Sequence, residues 1–196
     1  MTGKATSIIR AAGSPSPGRW VLLLRGINVN PSTRVAMAQL RSLLEGLGFE
    51  DVTTILQSGN VVLASPERPE AGPIESAIAA STGVRSRVVV LSVAEFEAVA
   101  SANPLLRDPV VREHLDLSKL VITFVGEDIV PEAVLRPSDD ELDPERLVVT
   151  ARAIYQWCPA GILQSQLKPA WWRQIRPVTT ARNVRTVNRI LETASV

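Results

Sequence analysis

Apolar residues along this chain fall into short runs of strand length, separated by stretches in which they recur every three or four positions. The run Trp20 to Leu24 is continuous and stops on Arg25, Gly26 and Asn28, the pattern of a strand buried on both faces whose carboxyl end is polar. A turn cluster, Asn30-Pro31-Ser32-Thr33, leads to Met37, Leu40, Leu43, Leu44 and Leu47 at helical spacing, with Gly48 placed to close the helix. Val52–Leu56 and Val61–Ala64 are β-rich runs joined by Gln57-Ser58-Gly59-Asn60, which predicts a hairpin. A second helix is expected from Pro73, carrying Ile74, Ala77 and Ile78 on one side and Gly83 just past its end. Val88–Leu91 is a further buried strand, and Ser92-Val93-Ala94-Glu95 opens a third helix as a capping box, ended by Asn103-Pro104.

The order strand, helix, strand, strand, helix, strand predicts a ferredoxin-like βαββαβ subdomain over residues 20–103. A right-handed crossover makes the first two strands parallel, so the hairpin turns at the end where the first strand finishes. Arg25–Asn28 and Gln57–Asn60 are therefore expected at one edge of the sheet. Residues 104–196 are less regular and predict a smaller α+β subdomain, with a strand at Leu120–Val125, a short helix at Pro131–Leu135 and a hairpin from Arg146–Thr150 and Ala153–Cys158. It ends in a basic helix in which Arg182, Arg185 and Arg189 form one stripe and Val184, Val187 and Leu191 the opposite one. Residues 1–19 are rich in Ser, Ala, Gly and Pro, lack acids, and are expected to be a disordered tail.

Composition narrows the function classes. With 45% apolar and 21% charged residues, the 196-residue chain reads as an ordinary globular protein. No apolar run approaches the ~18 residues of a membrane span, so no membrane association is expected. A net charge of +1 gives no global field for a phosphate backbone. One cysteine, Cys158, and one histidine, His114, exclude an internal disulfide and leave a Cys/His metal site short of ligands; neither metal nor cofactor is expected. The lone thiol fits a reducing, cytoplasmic setting. Between Glu127 and Glu145 eight acids face one base, Arg136, without the spacing of a calcium loop, which reads as a solvated acidic segment.

The candidate site combines Arg25, Gly26 and Asn28 with Gln57, Ser58, Gly59 and Asn60. A guanidinium, three amides, a hydroxyl and two close-approach glycines are an inventory for holding a small anionic ligand, such as a nucleotide or another phosphorylated molecule. Thr179-Thr180 reads as the cap of the last helix, with Arg182 and Asn183 in its first turn, a terminus that would close over the sheet edge and favour negative charge. An enzyme at the same site is the alternative, weakened because neither cluster contains an Asp, Glu, His or Lys to act as general base. Nucleic-acid binding through the basic stripe and Trp171-Trp172 is less favoured, since the two hairpin strands lack the aromatics of an RNA-recognition sheet. Ligand identity and oligomeric state stay open.

The motifs Leu-Leu-Arg-Gly-Ile-Asn-Val at 23–29, Met-Ala-Gln-Leu-Arg-Ser-Leu-Leu at 37–44 and Gln-Ser-Gly-Asn-Val-Val at 57–62 resemble the bacterial family called domain of unknown function 1697. Ile154-Tyr155, Pro159-Ala160-Gly161-Ile162 and residues 180–186 are similar to later motifs of that family. The resemblance implies a two-subdomain α+β fold and no particular activity. The chain departs from the family pattern in having Asn30-Pro31 where Gly-Gly is usual, Gln166 within a usual Ser-Lys-Leu, and Val184 in place of a Trp.

Overall fold

The computed structural model describes residues 18–195. The expected tail therefore lies outside the described residues as far as residue 17, while Gly18 and Arg19 begin the first strand. The strands are β1 (Gly18–Arg25), β2 (Glu50–Ile55), β3 (Asn60–Ser65), β4 (Arg87–Ser92), β5 (Leu120–Val125), β6 (Arg146–Val149), β7 (Ala153–Trp157) and β8 (Thr179–Asn183). The helices are α1 (Met37–Gly46), α2 (Ala71–Thr82), α3 (Val93–Ser101), α4 (Pro109–Glu113), α5 (Asp139–Leu142) and α6 (Val184–Ala194).

The elements form a mixed α+β fold with two four-stranded sheets, ordered β2-β3-β1-β4 and β6-β7-β5-β8, in which every neighbouring pair is antiparallel. Because β3 is antiparallel to both β1 and β2, those two strands run the same way and end at one edge.

The continuous apolar run of β1 is explained by burial on both faces. Leu22 and Leu24 pack with Val61, Leu63 and the helix residues Leu40, Leu44, Ile74 and Ile78. Val21 and Leu23 face a second core that contains Phe96 from α3, Val187 and Ile190 from α6, and Ile122, Phe124 and Tyr155 from the other sheet. The two halves thus share one apolar interior. Phe96 stacks on Phe124 at 4.8 Å, and the Tyr155 hydroxyl donates to the Val99 carbonyl at 2.8 Å. A smaller cluster, including Leu147, Ile154, Leu167 and Ile175, covers the far face of the second sheet.

The expected capping box at α3 is present, with Glu95 N–H donating to Ser92 Oγ and Ser92 N–H to the Glu95 carboxylate. The last helix differs from expectation. Residues 179–183 form edge strand β8 beside β5, and α6 starts only at Val184, with the Asn183 side chain accepting from Thr186 N–H as its cap. Thr179-Thr180 is therefore not a helix cap, and Arg182 is not in a helical turn. Among the described residues no helix is long and apolar enough to cross a membrane.

Candidate functional site

The two polar clusters meet at the end of β1. Leu24 N–H donates to the Gly59 carbonyl at 2.8 Å, which extends the β1–β3 pairing into the hairpin turn. Gly59 has φ +74°, and a Cβ there would lie 2.7 Å from both Leu24 Cβ and Ile27 Cδ1, so only glycine fits the turn. Asn28, at φ +54°, donates to the Val35 and Gln57 carbonyls and accepts from Val35 N–H, and in this way braces its own loop against the hairpin.

Arg182 joins this edge to the second sheet. Its guanidinium donates to Asn60 Oδ1, to Thr180 Oγ1 and Ala181 O at 2.8 Å each, and to Leu24 O and Ser58 O at 2.7 and 2.9 Å. The side chain is buried, and among the described residues no carboxylate pairs with it. Burial lowers its pKa to about 10, still well above neutrality, so a buried cation held only by neutral oxygens sits at the junction.

Beside that junction lies a cavity of about 470 Å³. Arg25, Gly26, Ile27 and Ser58 border it from the first sheet, and Thr179 to Arg182 of β8 form one side. Thr123 and Gln156 line it from the face of the second sheet, and Leu167, Trp172 and Ile175 supply an apolar wall. Among the described residues, two arginines line the cavity and no acidic residue does. Arg25 is exposed, and among the described residues its side chain makes two long bonds, each 3.3 Å, to the carbonyl and hydroxyl of Thr179. Its remaining donors are available to a ligand.

Behind the cavity, the buried Glu145 carboxylate accepts from Ser165 Oγ at 2.8 Å and from Gln166 N–H at 2.8 Å. Nearby Cys158 is fully buried; burial, reinforced by the Glu145 charge, pushes its thiol pKa up to about 12 and leaves it inert. Among the described residues no group of three or more His, Cys, Asp or Glu side chains gathers to hold a metal ion.

Of the residues singled out in the sequence, Arg25, Gly26, Ser58, Thr180 and Arg182 line the cavity. Asn28, Gly59, Asn60 and Asn183 instead hold loop, hairpin and helix in place, and Gln57 is exposed outside the cavity. The basic stripe of the last helix shrinks to Arg185 and Arg189, because Arg182 points inward from a strand, and Arg185 pairs with Asp116 at 3.4 Å. Trp171 and Trp172 pack edge to face, and Trp171 Nε1 donates to Leu135 O. Sequence reasoning passed over Thr123, Gln156 and Ser165. A glutamine inside Ile154–Cys158 and a threonine inside Leu120–Val125 are polar interruptions of buried strands, and that anomaly was the signal available.

Fold and site together define an α+β protein of two antiparallel sheets, with a cavity at the edge where the end of β1 meets β8 that extends onto the far face of the second sheet. The profile of the family described as "Protein of unknown function (DUF1697)" matches residues 18–155, and the chain belongs to that family. Among solved structures, a conserved bacterial protein from Streptococcus pneumoniae is similar at 25% identity and a TM-score of 0.66, with 92% of this chain and 99% of that one covered. Comparison with curated proteins gave no match.

Proposed function

We propose that the protein binds a small anionic ligand, a nucleotide or another phosphorylated molecule, in the cavity beside the junction of β1 and β8. The observation that carries this reading is the charge of the cavity, which among the described residues has two guanidinium groups and no acid in its lining. Arg182, whose strong bonds all go to the protein, supplies a fixed positive field, and Arg25 supplies free planar donors at the mouth. The volume lies in the ~300–1,000 Å³ range of small-molecule sites and is too small for an oligonucleotide.

Thermal shift with inorganic phosphate, ribose 5-phosphate, nucleoside monophosphates and small carboxylates, on wild type and Arg25→Ala, tests the proposal. A ligand at a hundred times its dissociation constant stabilises the fold by ~2.7 kcal/mol. The shift disappears in Arg25→Ala, whose fold persists because the side chain is exposed. A shift retained in the variant, or none with any of these anions, overturns the reading.

An enzyme at the same site is the second reading. It is supported by the Ser165–Glu145 hydrogen bond, which sets a hydroxyl at the cavity wall against a buried carboxylate that the sequence clusters lacked. The strand order β2-β3-β1-β4, with α1 and α2 on one side, supports reading residues 20–103 as a ferredoxin-like unit.

A further inference from the structure

Two large apolar side chains on the lining of the cationic cavity stand in solvent, Val29 at 75% and Ile162 at 43% exposure. Single surface hydrophobics are ordinary, but two on one concavity beside an exposed arginine form a local apolar surface that asks for an occupant. They come from different halves of the fold. Val29 follows β1 of the first sheet, and Ile162 follows β7 of the second.

Neither side chain sits on a slack segment. Val29 N–H donates to Thr33 Oγ1 at 3.1 Å, beside Asn28, whose amide ties the same loop to the Val35 and Gln57 carbonyls. Ile162 opens a short 3-10 turn, Ile162–Gln164, in which Gln164 N–H donates to Gly161 O at 2.9 Å and Ser165 N–H to Ile162 O at 3.2 Å. Gly161 N–H anchors that turn on the Cys158 carbonyl at 2.7 Å. The backbone thus fixes both side chains at the lining instead of letting them fold into a core. Trp172, partly buried, extends the apolar surface along the same lining.

Charge and apolar surface therefore share one cavity. A ligand with a polar body satisfies Arg25 but leaves Val29 and Ile162 against water, whereas an apolar body covers them and gains from doing so. Neither side chain carries a hydrogen-bonding group with which to recognise a sugar or a base. Resting on the anion reading above, we infer that the ligand is an amphipathic phosphomonoester, a phosphate joined to an aliphatic body. The phosphate lies at Arg25 and the chain along Val29, Ile162 and Trp172. Val29 and Ile162 determine specificity for the chain.

The test is calorimetric titration of the full-length protein with methyl, butyl and hexyl phosphate, ribose 5-phosphate and 1-hexanol. The three monoesters carry the same charged group and differ only in chain length. In wild type, hexyl phosphate binds about tenfold or more tighter than methyl phosphate, with butyl phosphate between them, the gain from withdrawing about two methylenes from water. It also binds tighter than ribose 5-phosphate. Val29→Ser and Ile162→Ser, both at exposed positions, each lower the hexyl-to-methyl affinity ratio by about threefold. Leu163→Ser, at a leucine 95% exposed that does not line the cavity, keeps the ratio. Equal affinity for methyl and hexyl phosphate, or ribose 5-phosphate binding tighter than hexyl phosphate, overturns this inference and leaves the anion reading standing. So does a chain-length gain that both lining variants retain, or that Leu163→Ser removes. Hexanol binding as tightly as hexyl phosphate, or no binding of any probe, overturns the anion reading along with it.

Discussion

Arg182 is the most consequential side chain in the junction, and its replacement by methionine measures what the junction is worth. Its five guanidinium bonds of 2.9 Å or shorter, at the low end of ~1.5 kcal/mol for a bond to a charged donor, amount to roughly 7 kcal/mol. Burial without a counter-ion opposes this; a pKa brought down to about 10 corresponds to a cost of roughly 3 kcal/mol. Methionine removes both effects and regains about 1 kcal/mol from its apolar stem. The expected net loss is about 3 kcal/mol, read as a lower urea midpoint at unchanged slope and a melting temperature reduced by roughly 6–12 °C for a chain of this size. Arg182→Lys does not rescue the fold, because lysine keeps the buried charge but brings only three donors without the planar fork. A methionine variant within about 0.5 kcal/mol of wild type, or a lysine variant as stable as wild type, refutes the reasoning.

Three other substitutions and conditions follow from the same contacts. Gly59→Ala places a Cβ 2.7 Å from Leu24 Cβ and Ile27 Cδ1 at φ +74°, and is expected to cost about 2–4 kcal/mol in urea unfolding, whereas Gly26→Ala, with nothing within 4 Å of its Cβ, costs only the backbone strain of about 1 kcal/mol. Burial alone would raise the pKa of Glu95, but the Ser92 N–H bond and the charge of Arg68 outweigh it and hold the carboxyl below its ordinary range. The stabilisation is therefore full above that range and lost as pH falls through the lowered pKa. Glu95→Gln is less stable than wild type at pH 7, and the difference closes as pH falls below the ordinary carboxylate range when both are unfolded in urea. Cys158, with its thiol pushed up to about 12, reacts with an aromatic disulfide reagent at pH 8 only as fast as the protein opens, and at once in denaturant; rapid labelling of the native protein contradicts the burial described.

The first half of the fold was legible because its signals are local and agree with one another. The β1 run, the α1 spacing, the Gln57–Asn60 turn and the Ser92–Glu95 box each point to one element, and chain order alone brought residues 25–28 to residues 57–60. The strand at 179–183 was hidden for a physical reason. Its inward positions are Thr180 and Arg182, which pack on the carbonyls at the end of β1, so it shows no apolar alternation. Arg182 also falls in helical register with Arg185 and Arg189, and it was absorbed into a helix that begins two residues later. The polar cluster behind the cavity was hidden by distance along the chain. Glu145, Gln156 and Ser165 come from the end of an acidic loop, a strand and a later turn, and no local pattern announces that they meet.

The central claim is that an anion enters the cavity at the sheet junction. Backbone amide chemical shifts of the isotope-labelled protein, followed during titration with ribose 5-phosphate, test it most directly. The account predicts saturable shifts concentrated on Arg25, Gly26, Ser58, Thr179 and Ala181, which line the cavity. Shifts confined to the exposed face of α6 around Arg185 and Arg189, or none up to millimolar ligand, contradict it.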